Sequence, residues 1–472
     1  MQVQFRYEQI ADNIRTAIIS GAIKPGDKLR SVRSMSSDLG VSQATIFRAY
    51  FDLEASGLIE SKPKSGYYVC YHPITPDLPS KTPFEKQEKT VKNADLVKEF
   101  LSSLNHPDVQ LDFGLAVPAP ELLPLAKIKK SIQKCYLNDP VAVIGYESVA
   151  GNNQLRRQLA QLSLSWDKSF TEDDVIITNG CMEAVALALS ALTQPGDIIA
   201  VESPAFYGLL QLMDSLNLSV IEIPGDPVAG ISIQDLKETL QQKPVKAILL
   251  TPNFNNPNGT TIPDQHKKEL AEMAPTHQVP IIEDDINGEL YFGDQRPKTI
   301  KTFDQEGWVI YCSSLSKTLM PGYRIGWCIP GRFHAEILRK KSITNISTSS
   351  IVQAITAHFL EFGRYEFHLK KLRNALKTQY LQYKRAIFDS FPNKIASSNP
   401  QGGFVLWLEL RQSKDALTLY RKALQKGIRI APGQVFFTHS NYKNYFRISF
   451  GAPFTSEIED AIKTLGQLAK NL

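Results

Sequence analysis

Residues 313–327 read SSLSKTLMPGYRIGW, and the run that leads into them, 309–314, reads VIYCSS. VIYCSS is β-branched, aromatic and apolar until it breaks into hydroxyls, which predicts a strand that stops at Ser313 and Ser314. Outward from this stretch the same pattern recurs in VIITNG (175–180), IIAVESP (198–204), VKAILLTPN (245–253) and PIIEDD (280–285). Each is a short β-rich run that ends in polar, Gly or Pro residues, and amphipathic helical stretches lie between them. The alternation predicts an α/β fold over residues 111–472: a large, mainly parallel sheet domain with helices on both faces, and a smaller C-terminal domain formed mostly after about residue 340. Ligands of such sheets gather at the C-terminal ends of the strands, where the polar endings fall.

Those endings carry a consistent chemistry. Lys317 sits among Ser313, Ser314, Ser316 and Arg324. Hydroxyls and a guanidinium suit a phosphate, and a nearby amine suits a Schiff base with an aldehyde. Pyridoxal phosphate carries both groups on one ring. In ITNGCMEAVALAL the amides near Gly180, Cys181 and Met182 open a helix, whose positive end favours a phosphate. IIEDD ends a strand in carboxylates, one of which could keep a pyridine nitrogen protonated. NFNNPNG offers an amide to a ring oxygen, and ESPAFYG brings aromatics that could stack on the ring.

Composition bounds the rest. The 472 residues predict two or three domains of roughly 100–200 residues each. At 43% hydrophobic the chain can bury a sizeable core, which excludes disorder throughout. The 53 basic and 48 acidic residues leave a net charge of +5, a mild excess compatible with a nucleic-acid partner. The five cysteines are an odd number without a CxxC pair, and the eight histidines show no ligand spacing. We therefore expect no metal site, no disulfide framework and a reducing, cytoplasmic setting. The first residues, MQVQFRYEQIADNIR, lack a signal-peptide core, and no apolar run is long enough to span a membrane.

Residues 1–71 read as a separate domain. Ile10, Ile14, Ala17 and Ile18 share one helix face. Ser31 is a plausible N-cap for VRSMSSDL, with Gly40 as its stop, and Ser42 caps the next helix, whose Ile46, Ala49, Tyr50 and Leu53 sit at helical spacing. Two helices about a turn near Gly40 have the dimensions of a helix-turn-helix. Ser42, Gln43, Thr45 and Arg48 lie off the buried face, where they can approach phosphates and base edges. LIESKPKSGYYVC predicts two short strands around a turn that presents Lys62 and Lys64. Residues 72–110, opening with HPITPDLPSKTPFEKQEKTVKN, are rich in Pro, Lys, Glu and Thr and read as a linker, with a short helix over Ala94–Leu104.

The stretch GAIKPGDKLRSVRSMSSDLGVSQATIFRAYFDLEASGLIESKPKSGYYV resembles the winged-helix reader of the GntR family. The resemblance implies double-stranded DNA as partner, with Arg30, Arg33, Ser42, Gln43, Thr45, Arg48, Lys62 and Lys64 at the duplex. Arg30 stands where that family usually has Pro. The larger part resembles the class I/II aminotransferases of fold type I. That resemblance implies Lys317 as the Schiff-base lysine, Asp284 on the pyridine nitrogen, Asn256 on the 3-oxygen and Phe206 stacked on the ring. It puts Ser314, Ser316, Arg324 and the backbone at Gly180, Cys181 and Met182 on the phosphate. Tyr146, in GYESVAGNNQLR, would reach the phosphate of a neighbouring subunit in a homodimer, and Arg447, in YFRISFG, would bind a substrate carboxylate. The family's Tyr shortly after the pyridine Asp is replaced here by Ile286 and Asn287, and the nearest aromatic is Tyr291. The combination resembles the MocR subfamily of GntR regulators. It implies a regulator that senses a small amino compound or the cofactor; the alternative is a working aminotransferase with a DNA-binding appendage.

Overall fold

In a computed structural model the described residues are 6–19, 22–55, 57–62, 65–70, 77–81, 88–91, 93–138, 144–391, 395–438 and 442–472. They divide into two compact units, Met1–Asp77 with Leu381–Ser390, and Leu78–Tyr380 with Phe391–Leu472.

In the smaller unit, α1 (Arg6–Ile19) turns Ile10, Ala11 and Ile14 into a core shared with Ile46, Ala49, Tyr50 and Leu53. α2 (Val32–Leu39) opens where Ser31 Oγ accepts the Ser34 amide at 3.1 Å, and closes at Gly40, whose φ of 61° places it in the left-handed region. α3 (Gln43–Ala55) opens where Ser42 Oγ accepts the Thr45 amide at 3.1 Å. β1 (Ile59–Lys62) and β2 (Gly66–Val69) pair antiparallel, Ile59 opposite Val69. Three helices and a hairpin in this order make a winged helix-turn-helix.

The larger unit begins its strands with β3 (Leu111–Asp112), β4 (Ile176–Thr178), β5 (Ile198–Ser203), β6 (Ser219–Asp226), β7 (Gly230–Ile231) and β8 (Val245–Leu250). β9 (Ile281–Asp284), β10 (Val309–Ser314) and β11 (Gly326–Ile329) follow. Among the described residues an eight-stranded sheet runs β4-β11-β10-β9-β8-β5-β6-β7. β10, β9, β8, β5 and β6 are mutually parallel, while β11 runs antiparallel to both β10 and β4. Helices cover both faces, so alternate residues go to different cores rather than to solvent. Ile199, Val201, Ala247 and Leu249 face one, and Ile198, Ala200, Ile248 and Leu250 the other. Each such aliphatic side chain contributes about 1.5–3 kcal/mol on burial. β12 (Ala396–Ser397), β13 (Val405–Glu409), β14 (Ile428–Arg429), β15 (Ala431–Pro432) and β16 (Tyr445–Ser449) complete the set. Four of them form an antiparallel sheet, β12-β13-β16-β15, and β14 pairs with β3.

The stretch read as a linker differs from its expectation in part. Residues from Leu78 onward cluster with the larger unit. Val91, Val97 and Phe100 are buried there, and Lys89 bridges to Val220 on β6. The helix is Ala94–Ser102, and its amphipathic spacing supplies the two apolar anchors Val97 and Phe100. Among the described residues no helix is long and apolar enough to cross a membrane.

Candidate functional site

Five strands of the large sheet end at one place. β10 runs into a short 3-10 turn, Leu315–Lys317, and Lys317 Nζ donates to the carbonyl of Ala116 at 2.6 Å. Burial, then the nearby charges of Arg447 and Arg324, pull this amine down to about 8. β9 ends at Asp284, which is buried and accepts from Cys181 Sγ at 3.0 Å and from the Ile286 amide at 3.2 Å. Burial pushes its carboxyl up to about 6, the two hydrogen bonds restraining the shift. The next carboxylate, Asp285, is consumed elsewhere. It pairs with Arg296 and accepts from Tyr311 Oη at 3.1 Å and Asn253 Nδ2 at 2.8 Å.

β4 ends at the 179–181 turn. Gly180 has a φ of 86°, and a Cβ on it would strike the Arg324 guanidinium. Gly326 is equally confined, since a Cβ there would strike the Gly180 backbone. Arg324, itself in the left-handed region at φ 55°, donates to Ser316 Oγ at 3.1 Å and to the Asn179 carbonyl at 3.3 Å. Ser314 Oγ accepts the Ser316 amide at 3.3 Å. The helix Cys181–Leu192 starts here, so the amides of Cys181 and Met182 have no acceptor within their own helix. Hydroxyls, guanidinium and free amides thus surround one spot, an arrangement suited to a phosphate.

Arg447 comes from β16 in the other sheet and is 1% exposed. It donates to Asn256 Oδ1 at 2.6 Å and to the Gly114 carbonyl. Its Nε has no hydrogen-bond partner among the described residues, and no carboxylate lies within ion-pair distance there. Burial lowers its affinity for a proton to about 10. Phe206, half-buried, precedes the helix Tyr207–Ser215; Tyr207 is occupied against Phe100 and Phe436, which leaves Phe206 as the better ring partner. Tyr291 is stacked under Arg373 at 3.9 Å, and Asn287 donates to the Phe254 carbonyl at 2.9 Å. Tyr146 is 91% exposed.

On the smaller unit Arg33, Ser42 and Gln43 are exposed, and Thr45 is half-buried with its hydroxyl 2.8 Å from that of Ser42. Arg30 is exposed and paired with Asp38 at 2.6 Å. Lys62 lies 4.6 Å from the Tyr68 ring centroid, and Lys64 falls outside the described residues. Arg48 departs from its expected place. Its side chain is 18% exposed, lies 3.3 Å from Asp52 and sits over the Tyr7 ring at 5.3 Å. An i,i+4 carboxylate and an aromatic from α1 draw it inward.

Residues 112–465 match the family described as Aminotransferase class I and II, and residues 6–69 match the bacterial regulatory proteins of the gntR family. The chain belongs to the class I and II aminotransferases, with a gntR-family domain at its amino-terminal side. Relatives of this aminotransferase-class chain fall into two groups. The uncharacterized HTH-type transcriptional regulator YjiR of Escherichia coli (strain K12) is 36% identical over 98% of both chains. Aromatic-amino-acid aminotransferase 1 of Thermococcus litoralis is 30% identical over 80% of this chain and 92% of its own. Among solved structures, Pyrococcus horikoshii kynurenine aminotransferase, in complex with PMP, superposes with a TM-score of 0.74. It is 28% identical, covering 80% of this chain and 94% of that one.

Sequence reading did not find the Cys181 thiol on Asp284, the Asn256–Arg447 bond or the two carbonyls of 114–116. All of them join segments far apart in the chain, and none leaves a local motif.

Proposed function

We propose that this aminotransferase-class chain is a cytoplasmic, homodimeric transcriptional regulator that binds an operator duplex through its winged helix, holds pyridoxal phosphate at Lys317, and responds to a small amino compound. One observation carries the cofactor reading: Lys317, with its amine lowered to about 8, stands in one site with Asp284, a buried carboxylate that no cation approaches within ion-pair distance among the described residues. A protonated ring nitrogen is the cation such a carboxylate lacks. The hydroxyls of Ser314 and Ser316, the Arg324 guanidinium and the amides of Cys181 and Met182 suit the phosphate, and Phe206 suits the ring face.

When bound, pyridoxal phosphate supplies an aldehyde for amines and a ring that draws electrons away from the attached carbon. The protein's share is positional and electrostatic. Lys317 at about 8 exposes a usable fraction of free amine near neutral pH. Asp284, once ionised, holds the proton on the ring nitrogen. Asn256, whose oxygen already accepts from Arg447, keeps its amide nitrogen as a donor for the ring's 3-oxygen. Arg447 offers its fork to a ligand carboxylate. An amino acid fits both ends of such a site, α and γ alike.

The aminotransferase reading has support of its own, since Lys317, Asp284 and Arg447 are all present and relatives carry aminotransferase names. Turnover with a panel of amino donors separates the two. For the regulator, Lys317→Ala should abolish the visible absorption of the loaded protein, and borohydride should fix the cofactor to Lys317 in the wild type. A label on another lysine overturns the assignment. Arg447→Ala should weaken spectral titration by an amino acid about 10- to 150-fold, the loss of a charged hydrogen-bonded pair worth ~1.5–3 kcal/mol. Arg447→Lys should restore only part, because an ammonium has no fork.

A further inference from the structure

α3 buries Ile46, Ala49, Tyr50 and Leu53, and leaves Ser42, Gln43, Ala44 and Phe47 exposed at its amino-terminal end. Ala44 and Phe47 are three residues apart, so they lie one above the other on a single face. Phe47 is 54% exposed; among the described residues of the smaller unit it and Leu39 are the large apolar side chains left open. The cation on this helix, Arg48, is turned inward onto Tyr7 and Asp52. The open face therefore carries an amide, hydroxyls, a methyl and a phenyl ring, and no guanidinium that could read a guanine edge. In the major groove an amide pairs with adenine, and Ala or Phe packs on the thymine methyl, whereas Arg and Lys read guanine. Exposed cations elsewhere on the unit, Lys28, Arg33 and Lys62, supply the charge that a phosphate backbone demands.

We propose that Phe47, with Ala44, packs on thymine C5-methyl groups in the major groove, and that Gln43 reads an adjoining adenine, so each operator half-site is read as A·T pairs. This rests on the DNA-binding reading above. The helix that enters the groove contacts bases with its amino-terminal residues, and 43–47 are those residues. A phenyl ring exposed to water gains when a methyl covers it, and the methyl loses its own hydration at the same time. The gain is gone if the methyl is removed.

The full chain should first be offered a random duplex library, and the enriched site then rebuilt with single thymines replaced by deoxyuridine. That change deletes one methyl and leaves base pairing and charge alone. At one or two thymines per half-site we expect affinity to fall about fourfold, the equivalent of ~0.8 kcal/mol for one methylene-sized group. Phe47→Ala should bind those sites more weakly and no longer distinguish thymine from deoxyuridine there; Phe47→Leu should keep part of the distinction. Phe47 is exposed, so neither change threatens the core. An enriched site with no methyl-sensitive thymine, or an unchanged thymine-to-deoxyuridine ratio in Phe47→Ala, overturns the proposal while leaving DNA binding intact. A Phe47→Ala protein that changes its association state but not that ratio overturns it too. If no duplex is enriched at all, the DNA-binding reading itself falls.

Discussion

A thiol 3.0 Å from a carboxylate is a weak donor, yet at Asp284 it is one of two bonds holding the charged form in a buried place. The carboxyl stands near 6, so it ionises only as pH rises through that value. Cys181→Ala removes the donor and should move it higher still. The acid limb of pyridoxal phosphate binding, measured as dissociation constant against pH, should then shift up by about half to one unit, given 1.36 kcal/mol per unit and a weak donor. Cys181→Ser should hold the limb in place or lower it; coincident limbs for all three proteins would remove the thiol from the account. The polar strand endings were legible in the sequence because the apolar run of each strand stops at or just before residues such as Asp284, or Ser313 and Ser314 ahead of Lys317. The division of labour between Asp284 and Asp285 is set by Arg296, and the inward turn of Arg48 by Tyr7 on another helix. Neither partner is implied by the local pattern.

Strand β5 shows the same burial acting on stability. Glu202 is 4% exposed near its end, its oxygen accepting the Thr251 amide at 2.6 Å. Burial pushes this carboxyl up to about 8, with Asp284 adding to the shift. Between the ordinary carboxylate range and 8 the folded protein therefore binds a proton that the unfolded chain has released. Stability from this group falls as pH rises through that window, and the full cost is present above it. Glu202→Gln keeps the acceptor and cannot ionise. Its melting temperature should match the wild type near pH 4.5 and exceed it by roughly 2–5 °C at pH 9; equal melting at both values would mean that the carboxyl is not strained. The strands themselves were readable from runs of Ile, Val and Leu, since a sheet covered on both faces needs them at every position. The stretch 72–110 was harder. Its Pro and Lys content suggests solvent-facing positions, while among the described residues Val91, Val97 and Phe100 supply its large buried apolar side chains.

At the scale of the molecule, the helix Leu125–Asn138 leaves large apolar side chains open, Tyr136 at 66% and Leu137 at 76% exposed, and Ile144 is 84% exposed. Patches of this kind mark protein contacts, and a twofold dimer places the same patch on both sides. Sedimentation should show a dimer. If Tyr146 reaches the neighbouring site, as the family resemblance implies, Leu137→Asp should give monomers that also bind pyridoxal phosphate more weakly; monomers with unchanged affinity would detach Tyr146 from that site. The tethers at 114–116 have a separate consequence. Lys317 and Arg447 each donate to a carbonyl of that single short stretch. In the site proposed above, these two carbonyls hold donors that an incoming group would need. Pyridoxal phosphate held at Lys317 would draw that amine off Ala116, and a ligand carboxylate on Arg447 would draw the guanidinium off Gly114, so cofactor and ligand would act on the same stretch. Apparent affinity for either would then be the intrinsic affinity scaled by the fraction of molecules whose stretch is released.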